Sequence, residues 1–142
     1  MPVRNAEAEW QGALQDGKGT MRLGGGAFEG PYSWGSRFED APGTNPEELI
    51  GAAHAGCFSM ALSGVLGEAG HTPERISTSA RVHLDKANGG FAIDKIELAV
   101  RGKVEGLSDE DFTRSAEEAK ANCPVSQALG GVEITVEAEL EQ

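Results

Sequence analysis

The only thiols in this sequence belong to Cys57 and Cys123. Cys57 sits in the apolar, small-residue run Leu49-Ile50-Gly51-Ala52-Ala53-His54-Ala55-Gly56-Cys57-Phe58-Ser59-Met60-Ala61-Leu62, and Cys123 stands directly before Pro124, where a helix can begin. The thiolate is the nucleophile, so the question at each position is what favours the anion. Cys57 lies some three turns inside its helix, beyond the reach of the helix dipole, and apolar surroundings raise a thiol's pKa. A reactive thiolate there requires a cation from elsewhere. Cys123, at a helix start, can accept backbone N–H bonds that stabilise its anion. Two thiols so placed suggest a redox couple. The bland reading is a pair of small, buried apolar side chains.

Arg37 is the best candidate for the missing cation, because it precedes the helix entry closely and its fork can serve a thiolate and a carboxylate together. Glu47 is the natural carboxylate. On one continuous helix, however, Glu47 and Cys57 stand roughly 15 Å apart along the axis. Either the helix bends near Gly51, or the Arg37 and Glu47 of one chain reach Cys57 of a second chain; paired antiparallel helices favour the latter. His54 lies one turn before Cys57 on the same face, so a metal or small-ligand site from His54, Cys57 and Cys123 is the alternative, since imidazole and thiolate suit zinc or copper. With three ligands and no CxxC or HxxxH pair, that signal is weak, and a packed histidine is the plainer reading.

The elements that must position these residues can be read from periodicity. Alternation predicts strands at Ala6 to Gly12, Lys18 to Leu23 and Pro31 to Phe38, a small N-terminal meander. Thr44-Asn45-Pro46-Glu47-Glu48 stacks cap, proline and acidic signals at the start of a helix that runs to about Glu68 and ends at Gly70. From Leu49 to Leu66 that helix has no polar stripe, which predicts protein on every side of it. Arg75 to Asp85 and Phe91 to Val104 read as strands joined by an Asn88-Gly89-Gly90 hairpin turn, with a bulge near Asp94-Lys95 where the apolar phase slips. Ser108 to Asn122 is an amphipathic helix, Cys123 to Leu129 a short one, and Val132 to Leu140 the last strand. The sum is a single α+β domain over residues 1–142, a mostly antiparallel sheet wrapped against a long buried central helix. One chain cannot cover that helix all round, so a homodimer is expected.

Composition narrows the function. With 142 residues and 39% hydrophobic content, the chain can bury a core without disulfide staples. A net charge of −11, with only 12 scattered Lys and Arg, repels phosphate backbones and anionic lipid, so nucleic-acid and membrane-surface roles lose their driving force. The N-terminus carries no apolar segment of secretory type, and no run approaches the roughly 20 residues of a bilayer span, so a soluble, cytoplasmic protein is expected. In that compartment a permanent disulfide is disfavoured.

The long helix motif from Thr44 to Leu62, with Asn122-Cys123-Pro124-Val125-Ser126 downstream, Ser36-Arg37-Phe38-Glu39 and Leu84-Asp85-Lys86, resembles the osmotically inducible protein C and organic hydroperoxide resistance family, its osmotically inducible branch most closely. The resemblance covers nearly the whole chain. It implies an intertwined homodimer that reduces peroxides, organic ones preferentially, with no metal or bound cofactor and with an external dithiol or lipoyl-type reductant. By the same resemblance Cys57 is the peroxidatic thiol, Cys123 the resolving thiol, and Arg37 with Glu47 the activating pair. Gly56 stands where the family leads one to expect alanine. Phe28, Phe38, Phe58 and Met60 are candidates for an apolar wall that selects alkyl peroxides.

Overall fold

The computed structural model describes residues 1–141, which divide into two units, Met1–Leu49 and the chain from Ile50 onward. In the first unit, β1 (Ala6–Gln11), β2 (Lys18–Leu23) and β3 (Glu29–Tyr32) form an antiparallel meander. Trp10 on β1 and Tyr32 on β3 meet across it, their ring centroids 5.4 Å apart. The expected third strand over Pro31 to Phe38 is corrected here: it ends at Tyr32, and Trp34–Phe38 form the short helix α1. The cause is a capping box made from two serines. The Ser36 N–H donates to Ser33 Oγ at 3.1 Å, and the Ser33 N–H donates to Ser36 Oγ at 2.8 Å. These reciprocal bonds satisfy helix-end donors that a strand would have left for a partner.

Ser36 also ties α1 to the start of the long helix. Its hydroxyl donates to the Thr44 carbonyl at 2.7 Å, while its own carbonyl accepts from Asn45 Nδ2 at 3.0 Å. Asn45 Oδ1 in turn accepts the Glu48 N–H at 2.8 Å, the capping bond of helix α2 (Pro46–Glu68). The first turn of α2 is therefore fastened to α1, and with it the residues that flank Arg37.

The second unit contains the rest of α2, the hairpin β4 (Arg75–Ala87) and β5 (Gly90–Lys103), the helices α3 (Asp109–Asn122) and α4 (Pro124–Ala128), and β6 (Glu133–Leu140). The hairpin turns at Asn88 and Gly89 with φ of 47° and 83°, the twist that matches the strands it joins. The bulge falls where the apolar phase predicts it: His83 opposes Lys95 and Leu84 opposes Ile93, so Asp94 has no opposite residue. Downstream of it, Ile96, Leu98 and Val100 all face the core. β6 joins the other edge of β5 in parallel, as a strand arriving through a helical crossover can. Among the described residues the chain is thus α+β with two three-stranded sheets, mostly antiparallel.

Three stripes fill this unit's core: Phe58, Leu62 and Leu66 from α2, the β5 trio, and Phe112, Ala116 and Ala119 from α3. All recur at helical or strand spacing. The Phe112 ring lies over Gly102 so closely that a Cβ added there would stand 2.6 Å from it. Gly102→Ala is expected to destabilise the protein by about 1–3 kcal/mol through this overpacking, and Phe112→Leu to recover part of the loss in the double variant. Urea unfolding of the four proteins tests it; additive losses would contradict the contact.

One face of α2 stays open. Ala52, Ala53, Gly56, Ser63, Gly64 and Gly67 are exposed, and Met60 is 79% exposed among them. The expectation that no run approaches membrane-spanning length meets one borderline stretch, in α2. α2 has 23 residues, and an 18-residue stretch within it has a mean hydropathy of 1.6, enough by length and composition alone to cross a membrane, a test that the core helix of a soluble protein also passes. Its small residues and the two glutamates at its start disguise this in the sequence.

Candidate redox site

The site in the second unit is built by α2 and by the break between α3 and α4. α3 ends at Asn122, Cys123 is extended (φ −63°, ψ 121°), and Pro124 opens α4 with a fixed φ and no N–H to satisfy. The break turns the Cys123 side chain onto α2, where it meets Cys57. The two Sγ atoms lie 2.8 Å apart, and both thiols are free. A disulfide is about 2.05 Å long, so covalent closure needs a shortening of roughly 0.8 Å.

Cys57 is half-buried and Cys123 fully buried. Burial and the bond with Cys123 push the Cys57 thiol above its ordinary value, offset in part by the Val125 N–H. For Cys123, burial acts upward, but the bond with Cys57, the Ser126 N–H and hydroxyl, and the Val125 N–H together bring it below the ordinary thiol value. Cys123 makes no full capping hydrogen bond to α4, so these N–H groups act as nearby dipoles. Within one chain, then, the surrounding groups favour ionisation of Cys123 over that of Cys57.

His54 is fully buried one turn before Cys57, in line with Phe58, Leu62 and Leu66. Its Nε2 lies 2.7 Å from Ser126 Oγ, and its Nδ1 has no partner. Ser126, buried on α4, is a site residue that sequence reasoning misses. Its place three residues after Cys123 is the available signal, since that spacing turns a side chain back toward the helix start. Among the described residues no group of three or more His, Cys, Asp or Glu is arranged to hold a metal ion, and His54 Nε2 is engaged by Ser126.

In the first unit the structure brings Arg37 and Glu47 together. Arg37 Nε donates to Glu47 Oε1 at 3.0 Å and Nη2 to Oε2 at 2.9 Å, a two-pronged pair in which the glutamate is buried and the arginine about one-third exposed. Arg37 therefore rides on α1, not on a strand. Its guanidinium lies 5.4 Å from the Phe38 ring centroid, and Trp34 packs on Phe38. Beside them opens a cleft of about 210 Å³ lined by Trp10, Leu14, Tyr32, Trp34, Arg37 and Phe38. Of the four residues expected to form an apolar wall, Phe38 lines this cleft. Phe58 does not contribute: it is fully buried in the core stripe of α2.

Two thiols in bonding range on an α+β scaffold, with an arginine–carboxylate pair elsewhere in the chain, define a dithiol redox protein. The description "OsmC-like protein" fits residues 38–139, and the chain belongs to the OsmC family. It is 50% identical to Peroxiredoxin OsmC of Escherichia coli K12 over 139 residues, covering 97% of this chain and 96% of that one. It is 34% identical to organic hydroperoxide resistance protein OhrB of Bacillus subtilis over 101 residues, 70% of this chain and 72% of that one. The crystal structure of the latter superposes with a TM-score of 0.73, at 27% identity and with 96% and 98% of the two chains covered.

Burial lowers the pKa of His54, so the folded protein holds it neutral. As pH falls through the ordinary histidine value of about 6.5, the unfolded chain takes up the proton first. Stability is therefore complete above that value and declines below it. Melting temperatures across this range are expected to fall less steeply for His54→Gln than for the wild type; equal slopes would contradict the assignment.

Proposed function

We propose that this protein is a thiol-dependent peroxidase that reduces organic hydroperoxides, and hydrogen peroxide more weakly, through Cys57 and Cys123. The observation that carries the reading is the 2.8 Å separation of the two sulfurs. The Cys57 thiolate attacks the terminal peroxide oxygen; the O–O bond breaks, and the leaving alkoxide takes a proton to become an alcohol. Cys57 is left as a sulfenic acid. Cys123 attacks its sulfur, the S–S bond forms, the S–O bond breaks, and the hydroxide leaves as water. An external dithiol or lipoyl-type reductant restores both thiols by exchange, supplying two electrons. The two thiols are the redox groups, and the cycle calls for neither metal nor bound cofactor.

Arg37, aligned by Glu47, supplies the cation that Cys57 lacks and stabilises the charge that develops on the peroxide oxygens. Its aromatic cleft receives the alkyl group, which favours organic peroxides. In this reading the pair serves Cys57 of a second copy. The open face of α2 supports that assembly: a Cβ at Gly56, Gly64 or Gly67 would meet nothing within 4 Å, room for a partner's backbone. The same face argues for a homodimer over insertion in lipid, since Ser63 lies on it and Glu47 and Glu48 open the helix. A cytoplasmic location suits a disulfide that thiol exchange must reopen.

Cys57→Ser is expected to abolish consumption of cumene hydroperoxide in stopped flow, and Arg37→Met to lower kcat/KM by about 10²-fold. One equivalent of peroxide should remove two hydrogens from the wild type and leave a Cys57–Cys123 peptide in the mass spectrum. Activity of Cys57→Ser near the wild-type level overturns the reading. Light scattering should give twice the 14.8 kDa chain mass; a monomer would remove the arginine from the partner's sulfur.

A further inference from the structure

The peroxidase cycle leaves one buried polar group without a task. His54 is 0% exposed, its Nε2 is 2.7 Å from Ser126 Oγ, and its Nδ1 has no partner. A neutral imidazole carries one N–H. Were that proton on Nδ1, the orphan would be a buried donor, the rarer and more costly case; on Nε2, the orphan is only an acceptor lone pair. The Nε2–H form is therefore the one that fits, and Nε2 donates to the Ser126 oxygen. With its oxygen already accepting, the Ser126 hydroxyl proton is free to point away from His54. Ser126 stands three residues after Cys123, in the first turn of the helix that Cys123 precedes, and it favours ionisation of that thiol.

We infer that His54 is a positioning residue for the resolving thiol: it turns the Ser126 hydroxyl into a donor toward Cys123 Sγ and so keeps Cys123 ready to close the bond onto Cys57. The inference rests on the proposed peroxidase cycle and adds a residue to it. The chain runs His54 Nε2–H to Ser126 Oγ, and Ser126 O–H to the Cys123 thiolate, each donor polarising the next. In the closing step the Cys123 electron pair forms the S–S bond and the Cys57 S–O bond breaks. The departing hydroxide takes its proton from solvent, so no buried imidazolium is formed. His54 touches no reacting atom; it acts through Ser126.

The test reads Cys123 alone, in a Cys57→Ser background that removes the titratable group facing it. Ultraviolet absorbance of the thiolate against pH gives its midpoint. His54→Leu and Ser126→Ala should each move the midpoint upward, leaving about three- to tenfold less thiolate at a given pH below it. His54→Gln, whose amide N–H reaches the Nε2 position, should stay near the parent. If His54→Leu does not fold, Ser126→Ala and His54→Gln carry the comparison. An unmoved midpoint in Ser126→Ala, or in a folded His54→Leu, overturns the inference, as does a shift in His54→Gln as large as that in His54→Leu. With Cys57 restored, His54→Leu should lengthen the life of the sulfenic acid trapped by dimedone. Absence of any sulfenic acid in the wild type would instead overturn the peroxidase cycle, and the midpoints would still decide the inference.

Discussion

The chemistry of this chain depends on one contact, the approach of the Cys57 and Cys123 sulfurs across the core of the second unit. Neither cysteine is placed by its own preferences. Cys57 is held by the stripe of α2 that buries Phe58, Leu62 and Leu66, and Cys123 by the stripe of α3 that buries Phe112, Ala116 and Ala119. Where α3 stops, Pro124 enforces a new direction, and the sulfur at the break is delivered to the face of α2. Interiors packed at crystal density do not let such a distance drift, so the hydrophobic core acts as the jig for the redox pair. The close lie of Phe112 on Gly102 belongs to the same jig, because it fixes how near α3 can come to β5.

Much of this frame was legible in the sequence. The long helix, its cap at Thr44 or Asn45, the Asn88-Gly89 turn, the bulge near Asp94-Lys95 and the break at Cys123 all arise from local signals whose physics is short-ranged. The Trp34–Phe38 helix was not legible, because Tyr32, Trp34 and Ser36 alternate with Ser33, Gly35 and Arg37 as a strand would. Two serines bonding each other's backbone outweighed that alternation. Phe58 was misplaced for a related reason: an aromatic residue beside a reactive cysteine looks like a pocket wall, but helical phase sends it to the core. The partners of His54 were hidden because the residue that engages it is distant in sequence, on α4.

The electrostatics of the pair explain why it needs more than proximity. Two thiols in contact share a problem: only one of them ionises readily, since the second anion would face the first. The bond with Cys57, followed by the dipoles at the start of α4, favours ionisation of Cys123, and burial disfavours that of Cys57. For a resolving thiol that is the right bias, because it must be nucleophilic at the moment a sulfenic acid appears beside it. For a peroxidatic thiol it is the wrong one. The two-pronged Arg37–Glu47 pair fits the deficit in sign and in form, a guanidinium oriented by a buried carboxylate and bordered by aromatic rings.

The consequence is a division of labour. Under the proposed cycle, a cation brought by a second copy would favour the thiolate at Cys57, the sulfur that must react first, against the bias of a lone chain toward Cys123. The exposed, small-residue face of α2 lies on the same helix as Cys57, so the surface proposed to recruit a second copy and the sulfur proposed to need its charge are carried by one element. His54 sits on the buried side of that helix, bonded to Ser126, through which we infer that it acts on the other sulfur. In the proposed cycle one helix thus presents the peroxidatic sulfur to the partner's cation and, from its core face, a histidine that acts on the resolving sulfur, so each thiol has its own source of stabilisation and the two need not compete for a single one.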